Sequence, residues 1–168
     1  MATLADLWTS LFPAATPVAP LDDAARAREV GWVRVLKARV PAFDALDAGD
    51  LAIVPAGALA AVAPGPPEAS ALVAEFVRAR VAGLLLVEGE PAGEAALDAL
   101  GAAAAAAGLP ALRAPRLDPV AVERSAIGFL VNRRAELDRQ AALLEARLEA
   151  RALEGSDLGG LVGTIGAW

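Results

Sequence analysis

The chain of 168 residues contains no cysteine, no histidine and no tyrosine, one methionine, and a single lysine, Lys37. Each absence removes a chemistry. Without cysteine there are no disulfides, no thiolate nucleophile and no sulfur ligands for a metal. Without histidine the commonest general base and the usual nitrogen ligand for zinc and copper are gone. The serines sit in no Gly-x-Ser-x-Gly elbow and have no imidazole to activate them. Lys37, read as a solvated strand-end residue, has no sequence context that supplies the dry pocket a Schiff-base lysine needs. What remains for chemistry is carboxylate, hydroxyl and guanidinium. The reading is of a protein that is not an enzyme and carries no cofactor or metal, with a carboxylate-only metal enzyme as a remote alternative.

Positive charge is also scarce. The net charge is −6, and no stretch is basic without interleaved acids, which argues against direct nucleic-acid binding by these residues. No uncharged run reaches membrane-spanning length: the one between Asp98 and Arg113 is too short and is broken by Gly101, Gly108 and Pro110. Arg26 is the first basic side chain, so the N-terminus lacks the charged start of a signal peptide. A bacterial cytoplasmic protein is expected. The apolar fraction of 57% is inflated by alanine, which fills roughly a quarter of the positions.

The pattern along the chain is that of an α/β protein with a small parallel sheet flanked by helices, followed by a long C-terminal helix. Thr3 is placed to cap a helix with Leu4, Leu7, Trp8 and Leu11 on one face. Pro13, Pro17 and Pro20 then hold the chain extended. Val30–Leu36 and Leu51–Val54 read as strands, the second stopped by Pro55 and Gly57. After the break at Pro64-Gly65-Pro66-Pro67, a helix to about Val81 turns Leu72, Phe76 and Val77 inward. Gly83–Val87 is a continuous apolar run suited to a strand covered on both faces. A helix over about Gly93–Ala107, closed by Gly108 at C′, leads to a strand near Ala111–Arg113, where Pro110 suits an edge. Strands alternating with helices at this spacing make βαβ units. Asp118 caps a helix running from Pro119 to about Glu154, and the five glycines of Gly155–Trp168 read as a loose tail. The expected division is 1–117, 118–154 and 155–168.

Several stretches resemble the N-terminal domain of PucR-type regulators, the purine catabolism regulatory protein family. They are Arg28-Glu29-Val30-Gly31-Trp32-Val33-Arg34-Val35, Ala48-Gly49-Asp50-Leu51-Ala52-Ile53, Arg80-Val81-Ala82-Gly83-Leu84-Leu85-Leu86 and Gly108-Leu109-Pro110-Ala111-Leu112. Together they span roughly residues 3–130 in the family's order and spacing. The resemblance implies an effector-sensing domain of a transcription regulator, followed in the family by a connecting helix and later a helix-turn-helix. Three departures stand out. Arg34 replaces the family's usual histidine, Val54-Pro55-Ala56-Gly57 replaces its Thr-Thr-Gly, and the DNA-binding region is missing.

The candidate ligand site is the carboxyl edge of the sheet, where open parallel sheets bind ligands. Glu88 and Glu90 follow the third strand, Pro55, Ala56 and Gly57 the second, and Arg113 the last. Carboxylate, guanidinium and open backbone there could bond a planar polar heterocycle such as a purine. Gly89 and Gly93 form no dinucleotide fingerprint. Asp44, Asp47 and Asp50 read as turn residues rather than a cation site, and Trp32 as core rather than a stacking platform. Ile127, Leu130, Leu137, Ala141, Leu144 and Leu148 fall on a and d of one heptad frame interrupted by Arg134, predicting a homodimer through that helix. The rival is a pure dimerisation or interaction module with no ligand.

Overall fold

Strands β5 (Asp50–Pro55) and β6 (Gly83–Val87) lie at the centre of a five-stranded sheet and are almost wholly buried, the first except at Pro55. The computed structural model describes residues 2–39, 42–43 and 45–153, so Asp44 and the expected tail lie outside the described residues. The preceding elements are β1 (Ala2–Thr3), α1 (Leu4–Leu11), β2 (Thr16–Pro17), α2 (Asp23–Arg26), β3 (Glu29–Val30) and β4 (Trp32–Val35). After β5 come α3 (Ala56–Val62), α4 (Pro66–Ala79), β6, α5 (Pro91–Ala106), β7 (Ala111–Ala114) and α6 (Pro119–Leu153). The sheet order is β2-β7-β6-β5-β4, with β4 to β7 parallel and β2 antiparallel on β7; β1 pairs with β3 separately. The expected fold class is thus the observed one.

Alternation along the central strands sends side chains to two faces, and each face has its own core. Ala52, Val54, Leu84, Leu86 and Ala111 meet Leu59, Val73, Phe76, Leu97 and Leu100 of α3, α4 and α5. Leu51, Ile53, Leu85, Val87 and Leu112 meet Leu4 and Leu7 of α1 and Val122, Ala126 and Leu130 of α6. Thr3 and Asp6 cap α1 reciprocally: Thr3 N–H donates to Asp6 at 2.8 Å and Asp6 N–H to the Thr3 hydroxyl at 3.2 Å.

Local details depart from the sequence reading where tertiary pairing overrides pattern. The stretch 30–36 is two strands, since β3 pairs with β1 and only β4 joins the main sheet. Helix α3 was not expected: Pro55 does not stop the chain but sits at N-cap, and the alanine-rich run behind it favours helix. In α4 the inward face is Ala69, Val73 and Phe76, while Val77 is 48% exposed. Strand β7 is not an edge; β2 covers it, and the edge proline is Pro17. Trp32, on edge strand β4, is 36% exposed rather than core.

By packing, the α/β unit extends through Leu130, past the expected boundary at 117, because three turns of α6 supply core side chains. Val131 onward forms a second unit. Its described part is helical to Leu153, with Leu137 and Leu143 exposed and Leu144 and Leu148 half-buried.

Helices α3 and α5 approach so closely that only glycine fits between them. A Cβ at Gly93 would lie 2.7 Å from the carbonyl carbon, Cβ and oxygen of Ala56. Gly93→Ala is therefore expected to cost about 1–3 kcal/mol through forced backbone movement. At Gly128, in mid-α6, a Cβ meets nothing within 4 Å, so Gly128→Ala should stabilise by about 0.5–1 kcal/mol through helix propensity. Urea unfolding of both variants checks the contrast, and equal effects would contradict it.

Candidate functional site

At the carboxyl edge the chain leaves β6 and β7 toward opposite faces: α5 packs on one side of the sheet and the start of α6 on the other. Such divergence is where an open sheet forms a crevice. Polar side chains bonded to one another span it. Arg113, the third residue of β7, points to the α5 face. Its Nε donates to Glu88 Oε1 at 2.9 Å, its Nη1 to Asp98 and its Nη2 to Glu94. Glu94 also accepts the Gly89 N–H at 3.2 Å, and Arg116 donates to the Gly89 carbonyl. One guanidinium thus bridges the loop after β6 and two consecutive turns of α5.

The Asp98 hydrogen bond is the largest influence on Arg113, ahead of the opposing effect of desolvation, with Glu88 and Glu94 adding to it. The net result holds the guanidinium pKa above its already high ordinary value. A raised folded-state pKa adds stability that is present at all lower pH and is lost only in strong alkali. Arg113 is a fixed cation, not a titrating one.

The other expected site residues are placed differently. Pro55, Ala56 and Gly57 are not open loop backbone: Pro55 is the N-cap of α3, and Ala56 and Gly57 form its first turn. Ala56 is 1% exposed and spent against Gly93. Glu90 is exposed at the N-cap of α5, with no side-chain capping bond. Glu88 and Arg113 come together, but as each other's partners. Sequence reasoning missed Glu94 and Asp98. The signal was there: two carboxylates four residues apart on one helix face, beside a strand carrying an arginine on its inner side.

Asp47 and Asp50 form a structural knot. Asp50, 2% exposed, accepts Arg34 Nε at 3.1 Å and the Asp47 N–H at 2.9 Å, and Arg34 also reaches Asp47 at 3.3 Å. Arg34, where the resembled family usually has histidine, is therefore the counter-ion of a buried carboxylate. Among the described residues no three His, Cys, Asp or Glu side chains are grouped to hold a metal ion.

The heptad positions divide between the two units. Leu130 is 7% exposed in the sheet-face core and Ile127 packs against that core, so these two are not free for a seam. Leu137, Ala141, Leu144 and Leu148 lie in the second unit. There Glu136 takes two bonds from Arg139 and one from Gln140, which together hold its carboxyl below the ordinary range, Arg139 contributing most.

No family model, curated protein or solved structure matches the chain.

Replacing Arg113 by methionine keeps the stem and leaves Glu88, Glu94 and Asp98 facing one another. Discounted for their partial solvation, the loss is expected to be about 1–2 kcal/mol at neutral pH. Acidification removes both the attraction in the wild type and the repulsion in the variant, so the difference should narrow as the carboxylates protonate. Denaturant unfolding at neutral and acid pH reads this directly; a gap independent of pH would assign the loss to packing.

Proposed function

We propose that this chain is a non-catalytic, ligand-sensing regulatory domain of the PucR type, whose output is α6 paired with α6 of a second copy. The observation that supports this most is the double use of one helix. Val122, Ala126 and Leu130 complete the core over β6 and β7, and the same helix continues into the leucine-bearing segment of the second unit. A ligand that favours one packing of the sheet face biases where α6 begins, and a rigid helix carries that bias onward. The effector in this reading is a purine-related or similar small metabolite, as the family resemblance implies. The lack of histidine, cysteine and tyrosine supports binding over turnover, and the net charge of −6 supports a protein partner over DNA. Among the described residues no helix is long and apolar enough to cross a membrane, in keeping with a cytoplasmic role.

A pure dimerisation module is the second reading. The saturation of Arg113 by three carboxylates favours it, because the only arginine among the expected site residues has its donors engaged.

Pairing in both readings rests on Leu137, Ala141, Leu144 and Leu148. Each leucine taken from water contributes about 1.5–3 kcal/mol, and Arg134 and Ala141 weaken the seam, so a dimer of modest affinity is expected. Leu137→Asp with Leu144→Asp should convert a dimer at tens of micromolar, read by light scattering, to a folded monomer. A monomeric wild type, or a double variant that stays dimeric, would overturn the proposal.

A further inference from the structure

The opposite edge of the sheet carries the clefts. Because α4 and α5 run antiparallel to the strands they cross, their C-terminal turns meet the amino ends of β5, β6 and β7, and two concavities open there. One is about 250 Å³, between the Val18–Ala25 segment and the end of α5. The other, about 470 Å³, lies between the ends of α4 and α5. The larger is in the range of small-molecule sites, and it has their usual make-up: an apolar floor and a few convergent polar groups. Val77 and Leu109 belong to that floor, and Arg28, Arg80 and Glu29 are its charged groups. Arg28 lines both clefts.

Two observations set these arginines apart. Neither guanidinium has a carboxylate partner among the described residues, whereas Arg34 and Arg113 are fully engaged. Arg80 is also the one described non-glycine residue with positive φ, at 58°. It ends α4 in the left-handed conformation that glycine adopts without cost. Sequence that keeps a long cationic side chain at a position suited to glycine trades stability for that side chain.

We infer that the 470 Å³ cleft binds a small organic monocarboxylate bearing N–H donors, its carboxylate held between Arg28 and Arg80 and its body on Val77 and Leu109. Guanidinium groups are the natural partners of a carboxylate. The donor requirement comes from Glu29 and from the carbonyl ends of α4 and α5, which together make the cleft's remaining lining an acceptor surface. The same negative lining disfavours a multiply charged oxyanion such as phosphate. This deepens the sensing reading and rests on it, moving the effector from the carboxyl edge to the amino edge.

The test is thermal unfolding of the full chain with millimolar orotate or N-carbamoylglycine, two monocarboxylates with N–H donors, and with inorganic phosphate. At least one of the two carboxylates is expected to raise Tm, with phosphate ineffective. Arg28→Ala should weaken that response at least tenfold in affinity, the loss of a charged hydrogen bond, while Glu88→Ala leaves it intact. Arg80→Gly is the sharpest arm: it should raise the ligand-free Tm by about 2–4 °C by relieving the left-handed residue, and abolish the response. No shift with either carboxylate, an equal shift with phosphate, or a response surviving both arginine variants would overturn the inference. So would an Arg80→Gly protein less stable than wild type. Light scattering on the same samples separates the two failures, since pairing through α6 stands or falls without Arg28 and Arg80.

Discussion

The burial of β5 and β6 on both faces is the constraint on which the rest of the α/β unit depends. Leu51, Ile53, Leu84, Leu85 and Leu86 are each at most 1% exposed, so neither face can be left to water, and a parallel sheet has no short hairpins with which to cover itself. One face is closed by the crossover helices α3, α4 and α5. The other has only α1 and whatever follows β7. The first three turns of α6 are therefore part of the fold: without Val122, Ala126 and Leu130, the Leu85, Val87 and Leu112 side would lose much of its cover.

Charge is used to tie edges together. Asp50, at the head of the central strand, is buried and would be costly without Arg34 from β4 and the Asp47 amide. Arg113 does the corresponding job at the other end of the sheet, joining β7 to α5 and to the loop after β6. Both clusters are internally satisfied, and no buried side-chain nitrogen or oxygen among the described residues is without a hydrogen-bond partner. Unpaired cationic groups instead gather at the strand amino ends, where α4 and α5 finish in tight turns around clefts.

The large features were legible because they follow from periodicity and caps. The five-residue run Gly83–Val87, the proline-rich start of α4 and the Asp118 cap each match a principle that acts over neighbouring residues. What escaped was set by distant partners. Helix α3 lacks a side-chain cap, so its start left no mark beyond alanine propensity. The heptad frame at Ile127 and Leu130 is also a core-facing stripe, and spacing alone cannot say whether a sheet or another helix receives it. At the candidate site, Glu88 and Arg113 were foreseen as neighbours, but Glu94 and Asp98, which occupy Arg113's remaining groups, come from the helix packing. The amino-edge cleft left no sequence pattern, since it is made by the turns that end α4 and α5 with Arg28 beside them.

The central claim is that α6 is one helix with two duties, core element up to Leu130 and pairing element beyond it. Amide hydrogen exchange at low and high micromolar concentration tests this most directly. Residues 122–130 should exchange as slowly as β5 and β6 at both concentrations, while protection of residues 131–148 should rise with concentration. Protection of 131–148 that is independent of concentration, or fast exchange over 122–130, would contradict the account.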